Sequence, residues 1–407
     1  MDTILPLSEF RQMAVQEFDT SKLLKHAAAQ ARQRGYGDFP IIDVDSHHFE
    51  TESFAQIFDY IEDPVIQQLC RSTSLSARSG GVLPGNMGNQ DMGGRVTRYV
   101  LRRMENGTGD VHRDVTLTRR WMDAMGVDIA VLFPTPMLSL GMHPEVEMEV
   151  ALARAYNRWL VETVLEVEPR IRSMLYLPFN DPDASYRMVE EFGDRKGVVG
   201  FMVTAARYNK PVYHNDYMKT YAALEECGLP LGFHAAYDWR EQSMVNMNRF
   251  ISVHAIGFVL HNLIHLTNWV INGLPERFPR LKVLWIESGL AWVPFIMQRL
   301  DNEYMMRTSE APALKRLPSE YIQDMFFTSQ PMERPRDQSL LEATFRAIKA
   351  ETQLLYSSDY PHWDFDLPST IYDLPFLDQA AKRAILGGNA LRLFGLEAPA
   401  TKLARMA

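Results

Sequence analysis

The chain has 407 residues, 46% of them hydrophobic and 23% charged, with a formal net charge of −9. That is enough apolar material for a large globular core. The acidic balance, with no clustered Lys and Arg, excludes a surface built to grip nucleic-acid phosphates.

Residues 1–38 read as a helical extension, with the Ala- and Gln-rich stretch Lys22–Arg34 ending at Gly35. The opening MDTILPLSEF lacks a basic region followed by an apolar run, so no secretory signal is expected. Pro40-Ile-Ile-Asp-Val-Asp45 follows, an apolar run of the kind a fully buried parallel strand presents. Further strand-like runs come at Val127–Phe133, Ser173–Leu177, Val198–Val203, Leu229–Phe233, Lys282–Ile286, Asp324–Thr328 and Gln353–Ser357. Helical patterns lie between most of them, at Leu117–Met125, Glu145–Leu165, Ser185–Phe192, Tyr217–Cys227, His254–Asn272 and Leu340–Ala347. Final helices are expected at Asp378–Leu386 and Asn389–Phe394. Eight buried strands alternating with helices imply a parallel α/β fold, and eight is the number that closes a TIM (β/α)8 barrel. The competitor is a doubly wound open sheet, but no GxGxxG turn follows any of the strands.

The minimal repeat is interrupted twice. Residues 51–110 form a long insertion after the first strand, and residues 235–255 follow the fifth. Long loops of this kind are commonly lids or binding loops, and residues 78–95, Gly-rich and Met-containing, are expected to serve as a lid or a subunit contact. No stretch is read as long and apolar enough to cross a bilayer, which takes about 18–20 residues. Cys70 and Cys227 stand far apart and outside any CxxC pattern, so no disulfide framework or thiolate zinc site is expected and a cytoplasmic protein fits.

In a barrel of this type the C-terminal strand ends carry the chemistry. Asp45 and His47 end the first strand, His234 the fifth, Glu287 the sixth and Asp359 the eighth. Apolar strands ending in such groups incur a desolvation cost unless the charges are paired or bind a cation. Asp45 and His47, two residues apart on a strand, point to the same side. With a His and an Asp from distant strands they make an N/O ligand set suited to Zn²⁺ or Mn²⁺. The blander reading takes Asp45 as a turn cap and His47 as a satisfied core histidine; three further strand ends of the same kind weigh against it.

Five segments resemble one family. They are Ile42-Asp-Val-Asp-Ser-His47, Gly228-Leu-Pro-Leu-Gly-Phe-His234, Gly273-Leu-Pro-Glu-Arg-Phe-Pro-Arg-Leu-Lys282, Ser357-Ser-Asp-Tyr-Pro-His362 and Ile385-Leu-Gly-Gly-Asn-Ala-Leu-Arg-Leu-Phe394. In that order, over roughly residues 39–396, they resemble the amidohydrolase-related family, which includes aminocarboxymuconate-semialdehyde decarboxylase and the resorcylate decarboxylases. The resemblance implies a barrel domain over 39–396, an extension before it and a tail at 397–407. It also implies one divalent ion, zinc in preference to manganese, held by Asp45, His47, His234 and Asp359.

Two departures stand out. The family's first strand commonly carries His-x-His or Glu-x-His, whereas this chain has Asp45-Ser-His47. Glu287, in Trp285-Ile-Glu-Ser-Gly-Leu-Ala-Trp292, stands where the decarboxylases have a catalytic His. With Asp359 and Glu287 as the catalytic pair, the expected reaction is hydrolysis of a C–N or C–C bond in a ring-derived carboxylic compound. The alternative is non-oxidative decarboxylation of an aromatic or muconate-type acid, with Asp359 protonating carbon. A third reading, a catalytically silent barrel serving as a binding subunit, sits badly with four matching ligands. For Glu287 the bland alternative is a salt bridge to an Arg such as Arg299.

His254, Trp239, Trp292 and His362 are candidate substrate contacts, with His362 also placed to orient Asp359, and Trp363 lies just past a strand end like the other two tryptophans. His48, opposite His47 on the strand, is expected to be structural, and His261 and His265, four apart on a helix, to be packing residues. The expected partners are a small-molecule substrate and a second copy in a homodimer, with neither nucleic acid nor membrane.

Overall fold

The computed structural model describes residues 20–74, 110–206, 210–236, 242–362 and 364–398. The 78–95 segment, Trp239 and Trp363 lie outside them. Eight strands follow in chain order: β1 (Ile42–His47), β2 (Ile129–Phe133), β3 (Ile171–Tyr176), β4 (Val198–Thr204), β5 (Leu231–His234), β6 (Val283–Ile286), β7 (Phe326–Thr328) and β8 (Leu354–Leu355). Each pairs in parallel with the next. The ring closes where the chain after β8 returns to β1: Val44 N donates to Tyr356 O (2.9 Å), Asp359 N to Asp45 O (2.7 Å) and His47 N to Tyr360 O (2.8 Å). The chain is thus a (β/α)8 barrel, with every expected strand in place.

The strands are almost wholly buried, as expected for a sheet covered by helices outside and packed side chains within. The packing around Gly232 in β5 is close. A Cβ there would lie 2.7 Å from Ile286 Cδ1 and 3.0 Å from Met174 Cε. Met174, from β3, reaches across the barrel interior to both Gly200 of β4 and Gly232 of β5.

The extension is not a loose appendage. Helix Thr20–Gln33 buries Leu24, Ala27 and Ala31 in the main core, and Arg34 forks onto Asp373 at 2.9 and 2.6 Å. The described start of the insertion contains two short helices, Phe54–Asp59 and Pro64–Ser74.

Two expectations need correcting. Helix Trp292–Met306, which follows β6, was not among the expected elements, although Val293, Ile296, Met297 and Leu300 recur at helical spacing and are its buried face. Helix Phe250–Ile271 runs 22 residues and is long and apolar enough, by length and composition, to cross a membrane. Here it lies along the barrel: Asn262 Nδ2 donates to Phe233 O (3.2 Å) and His265 Nε2 to Ala205 O (2.8 Å), polar contacts that fasten it to the strand ends.

Candidate metal centre

At the C-terminal end of the barrel, β1 delivers Asp45 and His47, β5 delivers His234, and the first residue after β6 is Glu287. Asp359 lies four residues past β8, in the segment that closes the ring. Asp45, His47, His234 and Asp359 are buried completely or nearly so. Glu287 and Asp359 both hold left-handed backbone, at φ 58° and 57°. For non-glycine residues that conformation costs of order 1–3 kcal/mol and recurs at functional sites. Hydrogen bonds to the neighbouring strand fix it in each case, Glu287 N to Thr328 Oγ1 (2.9 Å) and Asp359 N to Asp45 O (2.7 Å).

The two imidazoles are set by their backbone contacts. His47 Nδ1 donates to Pro134 O (2.8 Å) and His234 Nδ1 to Ala235 O (2.8 Å), so in the neutral ring each Nε2 carries a lone pair. Those lone pairs face carboxylates. His47 Nε2 lies 3.2 Å from both Asp45 Oδ1 and Asp359 Oδ1, and His234 Nε2 lies 3.4 Å from Asp45 Oδ1. Neither Nε2, nor either oxygen of Asp45 or Asp359, has a hydrogen-bond partner among the described residues. Six buried acceptors meeting in this way repel one another unless a cation lies among them. A tetrahedral ion with bonds of about 2.0–2.1 Å holds its ligand atoms about 3.3 Å apart, which is the spacing seen. The residues present therefore fit a divalent ion.

Glu287 is closer to this set than a base acting from outside it would be. One ligand atom each from Asp45, His47, His234 and Glu287 lie within 4.8 Å of one another, while His47, Asp359 and His362 form an overlapping group. Glu287 Oε2 is 3.5 Å from His234 Nδ1. Arg299, its bland alternative partner, instead pairs with Glu303 on the surface at 3.0 Å.

The electrostatics follow from burial and crowding. Burial works against the Asp45 carboxylate, yet the imidazoles of His234 and His47 hold it below its usual range. Burial works against a charge on His47 too, and the carboxylates of Asp359 and Asp45 outweigh it and push the imidazole up. Burial, with the other carboxylates nearby, drives Asp359 and Glu287 well above ordinary values. A resident cation would pull both back down.

The remaining candidates divide. His362 Nδ1 sits 2.6 Å from Asp359 Oδ1, and its ring stacks on His47 with centroids 4.1 Å apart. His254 lies at the rim, Nε2 3.8 Å from Asp364 Oδ2, with burial and the charge of His362 pushing it down to about 4. Trp292 is nearly fully buried. Its ring belongs to the main core and its indole N–H donates to Gly289 O (3.0 Å), because it begins the helix after β6 with its face turned inward. His48 is structural as expected, held by Asp114 Oδ2 (2.9 Å) and Tyr156 OH (2.8 Å). Sequence reasoning passed over Asp43, whose carboxylate accepts from Ser358 N (2.8 Å) and Ser358 Oγ (2.5 Å) and laces β1 to the chain carrying Asp359. Its place two residues before Asp45 on the same strand face was the available signal.

Comparison with known proteins identifies the frame. The family model described as "Amidohydrolase" matches residues 112–396. The chain belongs to the amidohydrolase family. A gamma-resorcylate decarboxylase of Rhizobium radiobacter is 23% identical over 317 residues, covering 76% of this chain and 94% of the relative. One from Polaromonas sp. is 23% identical over 253 residues, 60% of this chain and 76% of the relative. Among solved structures, 5-carboxyvanillate decarboxylase from Sphingomonas paucimobilis aligns with a TM-score of 0.61 at 22% identity, covering 88% of this chain and all (100%) of that one. Dihydroxybenzoic acid decarboxylase from Polaromonas sp., solved with manganese and the inhibitor 2-nitroresorcinol, aligns at 0.59 and 18% identity, covering 88% and 97%. At these identities the structural likeness establishes a shared barrel fold.

Proposed function

We propose that this amidohydrolase is a metal-dependent carboxy-lyase that removes CO₂ from a hydroxylated aromatic carboxylic acid. The carrying observation is the set of orphaned acceptors at Asp45, His47, His234 and Asp359, with Asp359 held against His362 at 2.6 Å. The names of the relatives support the decarboxylase reading over hydrolysis.

Asp45, His47 and His234, with Asp359 or Glu287, would hold a zinc or manganese ion. When bound, the ion supplies a Lewis acid that orients and polarises the substrate's oxygens. The chain's own groups do the rest. Asp359 delivers a proton to the ring carbon bearing the carboxylate; the C–C bond then breaks, its electron pair restores the ring, and CO₂ leaves. The His362 ring lies beside the Asp359 carboxylate, Nδ1 2.6 Å from Oδ1. The left-handed turn at Asp359 points it from the barrel seam at a cost the β1 hydrogen bond offsets.

Glu287 favours a second reading. A buried carboxylate within the ligand group can activate water for hydrolysis, and here it replaces the catalytic His implied by the family resemblance. Turnover of hydroxybenzoates in ¹⁸O-labelled water separates the two. Stoichiometric CO₂ without label in the aromatic product supports the carboxy-lyase, whereas label in the organic product, with carbonyl exchange controlled, supports hydrolysis.

A further inference from the structure

Asp43 and Ser358 are both fully buried, on opposite sides of the seam where β1 meets the chain after β8. Burying a carboxyl group is costly unless its oxygens find donors, and three donors reach Asp43. Oδ1 accepts Ser358 N (2.8 Å) and Asp45 N (3.2 Å), and Oδ2 accepts the Ser358 hydroxyl (2.5 Å). All three belong to Asp45 or to the residue before Asp359. The Ser358 hydroxyl oxygen in turn accepts Tyr360 N (3.0 Å). The rest of this turn is also engaged. Ser358 O accepts Asp366 N (2.8 Å) and Asp359 O accepts His362 N (2.8 Å). Asp359 N donates to Asp45 O (2.7 Å) and Tyr360 O accepts His47 N (2.8 Å). Every backbone polar group from Ser358 to Tyr360 thus has a partner. The side chains that supply partners are those of Asp43 and Ser358.

We propose that Asp43 and Ser358 are positioning residues that clamp the turn carrying Asp359 to the strand carrying Asp45, and so set the ligand spacing the ion requires. The Asp359 carboxylate has no hydrogen-bond partner of its own among the described residues, so the backbone beneath it sets its direction. That backbone is left-handed at φ 57°, a conformation that costs of order 1–3 kcal/mol and persists only where its surroundings enforce it. Removing the Ser358 hydroxyl frees Tyr360 N and one Asp43 oxygen on either side of the strained residue. The turn can then relax and carry the carboxylate away from His47 and Asp45. Asp128 offers the contrast. Its Oδ2 accepts Ile41 N (2.9 Å) at the opposite end of β1 from the ligands, a brace for the barrel alone.

The inference rests on the metal-dependent reading of the site, whichever reaction follows, and it is tested without turnover. Zinc affinity is measured by chelator competition, and cobalt(II) is loaded in parallel because its visible spectrum reports ligand geometry. In folded Ser358→Ala and Asp43→Ala zinc should bind about 10–100-fold more weakly, the usual loss when a ligand's support is removed. The cobalt spectrum of both should shift. Asp128→Asn should lose stability yet keep the wild-type spectrum and affinity. Wild-type spectrum and zinc affinity in folded Ser358→Ala and Asp43→Ala overturn the proposal and leave Asp43 as a brace like Asp128. Hydrogen exchange in metal-free wild type decides the matter even where the variants do not fold. The amides of Ser358 and Tyr360, whose acceptors are these two side chains, should stay protected. Fast exchange at both would mean that the ion, not the clamp, shapes the turn, and contradicts the proposal. Wild-type protein that takes up neither zinc nor cobalt removes the metal-dependent reading, and the clamp's role with it, whereas unchanged variants remove the clamp's role alone.

Discussion

His47 and His48 are chain neighbours, both buried, both beside carboxylates, and they do opposite things. His48 uses both ring nitrogens, on Asp114 and Tyr156, and lies parallel to Trp159 with centroids 5.8 Å apart. Its cluster is closed. His47 spends Nδ1 on Pro134 O and turns Nε2 toward two carboxylates that form no hydrogen bonds among the described residues. That cluster is open, and the acceptors it gathers are complete only around a cation. Burial and residue type are the same in both places; what separates structure from function is whether each polar atom is satisfied by the protein itself.

The comparison can be broken from either side. The largest effect is expected at His234, where His234→Ala removes a ligand from the open cluster. A bound metal ion contributes several kcal/mol to transition-state stabilisation, so turnover should fall at least about 10³-fold. Activity within tenfold of wild type would remove His234 from the site. Next comes Asp359→Asn, which should keep the fold and lower kcat by roughly 10²–10⁴-fold, with Glu287→Gln less damaging. The reverse ranking, in steady-state assays of CO₂ release, would favour Glu287 as a base for hydrolysis. In the closed cluster, His48→Ala should act on stability alone. It leaves the Asp114 carboxylate buried without its main partner, at about 3–5 kcal/mol, measured by chemical denaturation of the metal-loaded protein. The smallest effect belongs to Arg299→Ala, which removes an exposed pair worth at most about 0.5 kcal/mol and should leave turnover untouched.

Much of this is legible in the amino-acid sequence. Parallel strands covered on both faces are short apolar runs, so β1 to β8 stood out, and a polar residue at the end of such a run is conspicuous. Asp45, His47, His234, Glu287 and Asp359 all came from that one contrast. What stayed hidden depends on which loops meet in space. Asp43 and Ser358 are 315 positions apart, and only the closing of the barrel brings them together. That Trp292 is buried at the start of a helix, with its indole N–H on Gly289 O, depends on a helix its own sequence did not announce. The apolarity of Phe250–Ile271 is a property of composition, while its place along the barrel depends on Asn262 and His265 finding strand-end carbonyls.

The central claim is that the open cluster holds a divalent ion and the closed one does not. Elemental analysis of purified wild type, His47→Ala and His48→Ala, each checked for fold by circular dichroism, tests it most directly. The account predicts about one zinc or manganese per chain in wild type and His48→Ala, and loss of that ion in folded His47→Ala. Metal-free wild-type protein that takes up neither ion on titration, or equal metal in all three, would contradict it.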